Sequence, residues 1–216
     1  MNKILKKKSL RKDRATIQTQ IKDSELVQKK RLQIATGAST LFRKKGYLQT
    51  STREISRATG LSIGNLYDYI NSKEDVLYLV FDVFHSMWGS RLEQEGVLKI
   101  EDPVQQLETA IQKMLELVET HRDMILLMYT ESKLLPEKFL KNILEKESEL
   151  VQCFEKILVK GVEKGVFKVK DPFFLANIIV YLLSIEPLRG WNLKKRYKVK
   201  EINKSIIEFI EHFVIQ

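Results

Sequence analysis

Cysteine is almost missing from this chain: Cys153 is the one thiol in 216 residues, which excludes an intrachain disulfide and any cysteine-based metal framework. Proline and glycine are scarce too, at four and nine residues. Leu, Ile, Lys and Glu fill the space between them, so long stretches can run as helix and an all-α fold is expected. No hydrophobic run is long. The most apolar stretch lies within Phe173 to Leu183, is interrupted by Asn177, and falls short of the roughly 20 residues that cross a bilayer. No membrane partner is expected. Met1 to Arg14 is basic but has no apolar core of the kind a signal peptide carries, so a cytoplasmic location is expected. Catalytic signatures are absent as well: the sequence has no Gly-x-x-x-x-Gly-Lys loop, no His-Glu-x-x-His pair and no Gly-x-Ser-x-Gly elbow. His85, His121 and His212 are scattered over separate segments. Neither an enzyme, nor a metal site, nor a cofactor is expected.

What is present is positive charge in one place. Residues 1–73 hold 17 Lys or Arg against five acids, whereas the remainder holds 20 against 23. A strongly basic first third followed by a near-neutral body is the electrostatic layout of a DNA-contacting module joined to something else. The basic residues of the first 14 positions admit two readings, a solvated tail or a set of phosphate contacts.

Residues 51–73 give that charge a shape. Ser51 followed by Glu54 is a capping box, so a helix starts there. Ile55 and Ala58 supply its inward stripe, Gly60 closes it in a left-handed conformation, and Leu61 fills the corner. Ser62 caps a second short helix, with Leu66 and Ile70 inward and Asn65, Tyr67, Asp68 and Tyr69 mostly outward. Two short helices around a tight turn make a helix-turn-helix.

The rest of the chain reads as helices. An arm is expected over residues 1–25, then an amphipathic helix with Leu32, Ala35, Ala38, Ser39 and Phe42 on one face, ending near Gly46. Ser72 caps a long helix that meets no breaker before Gly89. Asp102-Pro103, Pro136 and Asp171-Pro172 open further helices, Gly165 closes one, Pro187 and Gly190 interrupt another, and Lys200 to Phe213 forms the last. This predicts about nine or ten helices in three parts: an arm over 1–25, a three-helix DNA-binding domain over 26–73, and a larger helical ligand-binding and dimerisation domain over 74–216.

The segment Ile34 to Val80 carries Ala35, Leu41, Phe42, Gly46, Tyr47, Thr50, Arg53, Glu54, Ile55, Ala58, Gly60, Leu61, Ser62, Leu66, Tyr67, Tyr69, Lys73 and Glu74. In these residues and their spacing it closely resembles the DNA-binding domain of TetR-family repressors. Ile70 stands where the family more often has Phe, and the arm is longer than many members carry. The resemblance implies that Ser51, Thr52, Arg53, Ile63, Gly64 and Asn65 face the major groove or its flanking phosphates, with Arg53 suited to a guanine. Tyr67, Tyr69 and Lys73 would hold the backbone; packing of the small domain is a second reading for Tyr67. The partner so implied is a near-palindromic double-stranded DNA operator bound by a homodimer. For the dimer interface, helices over Lys146 to Lys164 and Pro172 to Ile185 are expected, through Val151, Phe154, Leu158, Phe174, Ile178, Tyr181 and Leu182; an intrachain core is the other reading of these positions.

The family also implies a small-molecule effector in the larger domain. Met114, Leu117, Met124, Leu127, Met128 and Tyr129 are adaptable side chains suited to a pocket, and equally to plain core. Tyr129 to Pro136, Gly161 to Phe167 and Leu188 to Trp191 are similar to a subgroup that regulates fatty-acid and acyl-CoA metabolism. That similarity implies an acyl-CoA, its chain among apolar helices and its phosphates near Arg189, Trp191 or the 194–196 basic run, which otherwise reads as a solvated loop. Two other functions fit the sequence: a ligand-independent dimeric regulator, or a protein-interaction scaffold with a vestigial DNA-binding module.

Overall fold

Local signals set most helix ends. Asp23, Ser51, Ser62, Asp102 and Asp171 each accept a first-turn amide through the side chain, and Pro103 and Pro172 follow two of these caps at the first helical position. The computed structural model describes residues 17–215, and among them lie ten α-helices and no strand. They are α1 (Ser24–Lys45), α2 (Thr52–Thr59), α3 (Ile63–Tyr67), α4 (Lys73–Gln94), α5 (Pro103–Thr120), α6 (Arg122–Glu131), α7 (Glu137–Glu163), α8 (Pro172–Leu183), α9 (Ile185–Leu193) and α10 (Val199–Ile215). Short 3-10 turns at Val97–Lys99 and Ser132–Leu134 complete the set.

The chain divides into two compact units, and the division does not fall at residue 74. One unit holds the described residues up to Val83 together with Thr130–Glu145; the other holds Phe84–Tyr129 and the described residues from Lys146 onward. Helices α4 and α7 therefore each contribute to both.

In the first unit, Ile34, Ala35, Ala38 and Phe42 of α1 are buried beside Ile55, Leu66 and Ile70. Leu32, expected on the inward stripe, is exposed and Ile34 is buried instead, because the side of α1 that meets α2 carries Gln33, bonded to the Thr59 carbonyl, and Gly37, where an added Cβ would stand 2.7 Å from the Thr59 methyl. In α4, Tyr78 stacks on Phe139 at 4.2 Å between ring centroids and donates its hydroxyl to Asp82 at 3.0 Å, while Asn142 donates to the same hydroxyl. Burial pushes the Tyr78 hydroxyl well above its ordinary pKa, so it stays a donor there. The part of the expected arm at residues 1–16 lies outside the described residues. Residues 17–23 are no loose arm: Ile17 is buried, its carbonyl accepts from Arg31 at 2.7 Å, and Thr19 donates to the Asp68 carbonyl at 2.7 Å.

The second unit is built around Ile111, Phe154, Leu158, Ala176, Ile179 and Ile210. Lys160 donates to the Ile100 carbonyl at 2.7 Å and to Gln106 at 3.1 Å, tying α7 to the segment that leads into α5. Pro187 and Gly190 do not interrupt a helix as expected; both lie within α9. Pro187 sits in the first turn, where no intrahelical amide bond is lost, and the break falls earlier, at Ser184, where α8 and α9 meet at 51°. Among the described residues no single helix is long and apolar enough to cross a membrane.

Candidate nucleic-acid interface

Ser51 accepts the Glu54 amide at 3.3 Å, and Glu54 accepts the Ser51 amide at 2.9 Å, which completes the capping box. Lys45, at the end of α1, also pairs with Glu54. That pairing, with the bonds from Ser51, holds the Glu54 carboxyl at about 2, below its ordinary range, so the latch between α1 and α2 is ionised at neutral pH. Gly60 adopts φ 66° and ψ 16°, and the Leu61 amide reaches back to the Ser56 carbonyl at 3.1 Å. The inward face of α2 is Ile55, Ser56 and Thr59; Ala58, expected there, is exposed. Two polar residues can take an inward face because both are satisfied locally, Ser56 on the Leu61 carbonyl at 2.6 Å and Thr59 on the Ile55 carbonyl at 2.8 Å. Gln33 then bonds the Thr59 carbonyl at 2.6 Å and fixes α2 to α1.

This frame presents one group of side chains outward. Ser51, Arg53, Ile63, Gly64 and Asn65 are exposed, Thr52 is half-buried, and Tyr67, at 47 % exposure, donates its hydroxyl to Thr52 at 3.4 Å. Arg57, one turn beyond Arg53, is exposed too, a residue that is not among those expected to face DNA. The structure thus brings seven of the nine expected DNA-facing residues to the surface of α2 and α3. Two differ. Tyr69 is 2 % exposed and belongs to the core, because α3 ends at Tyr67 and helical spacing no longer governs where Tyr69 points. Lys73 lies 4.5 Å above the Tyr47 ring and donates to the Tyr47 and Leu48 carbonyls at 3.2 Å each, so its ammonium already braces the loop between α1 and α2.

In the second unit, a cavity of about 20 Å³ lies among Phe84, Met114, Val118, Ile125, Met128, Tyr129, Glu147, Leu150, Val180, Leu183 and Ser184. Of the expected ligand residues, Met114, Met128 and Tyr129 line it. Leu117, Met124 and Leu127 are buried but do not line it, because their turns face the packed core. Arg189 and Trp191 are exposed, with the Arg189 and Lys195 cations 5.4 and 5.5 Å from the Trp191 ring, away from the cavity lining. Glu147 and its partner His85 are not among the expected ligand residues, although both carry a signal. Glu147 occupies the same face of α7 as Leu150 and Phe154, and His85 the same face of α4 as Trp88 and Leu92, polar residues in apolar register.

The expected dimer residues also separate. Val151, Phe154 and Leu158 of α7 are buried within the unit, so the intrachain reading holds for them: the stripe they form is covered by the chain's own helices. Phe174, at 64 % exposure, Ile178 and Tyr181 are exposed on α8, and Leu182 is half-buried. The matching apolar surface lies on α10, where Phe209 and Phe213 stack at 6.1 Å, Phe213 being 63 % exposed.

Comparison with known proteins gives two family matches along the chain. The model for "Bacterial regulatory proteins, tetR family" matches residues 34–78, and that for "Tetracyclin repressor-like, C-terminal domain" matches residues 101–185. The chain is 26 % identical over 207 residues to the HTH-type transcriptional regulator HbdR of Aromatoleum sp. (strain CIB), covering 92 % of this chain and 87 % of that one. It is 22 % identical to the fatty acid metabolism regulator protein of Bacillus subtilis (strain 168), covering 84 % and 93 %. The crystal structure of AibR in complex with isovaleryl coenzyme A and operator DNA shares the fold, with a TM-score of 0.70 at 19 % identity over 83 % of this chain and 97 % of that one.

Proposed function

The chain belongs to the TetR family of bacterial transcriptional regulators, and from that premise we propose that it is a cytoplasmic homodimeric repressor which a small apolar effector, such as an acyl-CoA, releases from its operator. The observation that carries this reading is the exposed group on α2 and α3. Arg53, Asn65 and Tyr67 stand outward beside Gly64, on helices whose inward sides are locked by Ile55 and Leu66. Arg53 offers a planar fork for a guanine edge, Gly64 allows close approach to the base edges, and Thr52, Asn65 and Tyr67 offer hydroxyls and an amide to phosphate oxygens, with Ser51, whose own hydroxyl is donated to Glu54, beside them at the start of α2. Ile63, exposed at the start of α3, suits a thymine methyl.

The second copy is recruited through α8 and α10. Helix α8 is apolar on both sides: Ala176, Ile179, Val180 and Leu183 face the core, while Phe173, Phe174, Ile178 and Tyr181 face out. A helix hydrophobic all round needs cover on both faces, and a two-fold partner supplies it with the same surface. Two DNA units so paired would read half-sites roughly 34–36 Å apart. For the effector, AibR's isovaleryl coenzyme A and the fatty-acid regulator of B. subtilis support an acyl-CoA. The cavity is the size of about one water, so an acyl chain enters only as Met114 and Met128 move aside, which their unbranched side chains allow. Ligand in it would press on α4 and α7, which both continue into the first unit.

The same small cavity favours a second reading, a dimeric regulator with no effector. One titration separates these from each other and from a protein-interaction scaffold: binding to its own promoter fragment and to random DNA, with and without acyl-CoA. The repressor reading expects on the order of 10³-fold or greater preference for the promoter, lost on adding acyl-CoA. Preference unmoved by any acyl-CoA leaves the effector-free regulator, and equal affinity for both DNAs overturns both.

A further inference from the structure

The cavity of the second unit holds an acid and no base. Its apolar walls include Phe84, Met114 and Val180; its polar wall is Tyr129, Glu147 and Ser184, and no Lys or Arg is among the lining residues. Glu147 Oε2 lies 2.9 Å from Nε2 of His85, whose side chain is fully enclosed, whereas the Glu147 side chain keeps a third of its surface open. The imidazole thus anchors one carboxylate oxygen of a side chain that lines the cavity. Next to it, the Tyr129 hydroxyl bonds with Ser184, and burial raises its pKa, so that it remains a protonated donor.

We infer that Glu147, held by His85, makes this cavity selective for a chain whose end group is uncharged: it admits an apolar chain ending in a thioester, amide or alcohol, and rejects the free carboxylic acid of the same chain. This inference rests on the effector reading above and specifies it. A carboxylate brought into the cavity would place a second negative charge beside Glu147 with no Lys or Arg among the lining side chains, and the two like charges would repel at close range. A neutral group meets no such penalty. A hydroxyl or amide N–H can donate to Glu147, and a thioester carbonyl can accept from Tyr129 or Ser184. The apolar walls bind the chain of acid and thioester equally, which leaves Glu147 as the residue that tells them apart.

The test uses the full chain, as wild type and as Glu147→Gln, which keeps the shape and removes the charge. Melting temperature and operator binding are followed with decanol, decanoyl-CoA and decanoate. Decanol and decanoyl-CoA are expected to raise the wild-type melting temperature while decanoate does not, and the Gln variant is expected to bind decanoate about tenfold or more tighter than wild type does. Decanoate stabilising the wild type as much as decanol overturns the inference, whatever the variant does. So does a folded Gln variant that excludes decanoate as wild type does. Operator release reports separately on the effector reading: decanol and decanoyl-CoA that bind selectively without releasing DNA leave the selectivity standing and remove the effector role, while no binding by any of the three removes both.

Discussion

Arg53 and Lys73 are both cations of the first unit, yet their surroundings assign them different work. Arg53 is exposed on α2, beside the start of α3. Lys73 is half-buried, with two carbonyls and a ring around its ammonium. Arg53→Ala should therefore leave the melting temperature unchanged and weaken operator binding by about 1–3 kcal/mol, with a smaller loss on random DNA. Lys73→Ala should lower the melting temperature, since it strips two charge-assisted hydrogen bonds and a cation–π contact from the loop that sets the angle of α2. Thermal melts and paired titrations on operator and random DNA check both. Equal melting temperatures for the two variants would refute the division. The sequence alone places these residues together as cations near a helix-turn-helix; only the carbonyls of Tyr47 and Leu48, distant in sequence from Lys73, show that one of them is already engaged.

At the scale of elements, what a sequence reveals depends on how far a rule reaches. Caps at Ser51, Ser62 and Asp171, the left-handed Gly60 and the proline starts are legible because each is decided within four residues. Which face of a helix turns inward is legible only when the helix is long enough to fix a period. With five residues, α3 is too short, so Tyr69 is misread; α2 hides its inward side behind Ser56 and Thr59, polar residues that satisfy themselves on carbonyls. Gly161 is a third kind of case, a constraint set six residues further on, beyond the end of its helix, with no mark in the helical period. A Cβ added there would stand 1.8 Å from the buried Phe167 ring, where the chain leaving α7 folds back and the Phe167 amide bonds the Gly161 carbonyl at 3.1 Å. In an ordinary helix Gly→Ala is favourable; here Gly161→Ala should destabilise by about 1–3 kcal/mol, because the ring must leave its site. Chemical denaturation of the variant checks the sign, and a more stable protein would contradict the packing.

For the whole molecule, the decisive surface is the one the single chain leaves open. Phe173, Phe174, Ile178 and Tyr181 on α8, with Phe209 and Phe213 on α10, put six large exposed apolar side chains on two helices, whereas others, such as Leu48, Leu98, Leu144 and Trp191, are scattered along the chain. The apolar character of α8 is legible from Pro172 to Leu183. The contribution of α10 is not, because Ile202, Ile206, Ile210 and Val214 already make a complete inward stripe, and Phe209 and Phe213 read as surplus until the burial of that stripe shows them facing out. If this surface pairs two copies, Phe174→Asp with Phe213→Asp puts like charges into the centre of a self-complementary interface, where each is met by its own symmetry mate. The double variant should keep its helical content and melt cooperatively, yet sediment as a 25.3 kDa monomer rather than at twice that mass. Because a dimer grips two half-sites through one linked body, operator affinity should fall by roughly 10²–10⁴-fold while contact with a single half-site survives. A double variant that sediments as wild type would show that the chain associates through another face, or stays single with its aromatic surface bare.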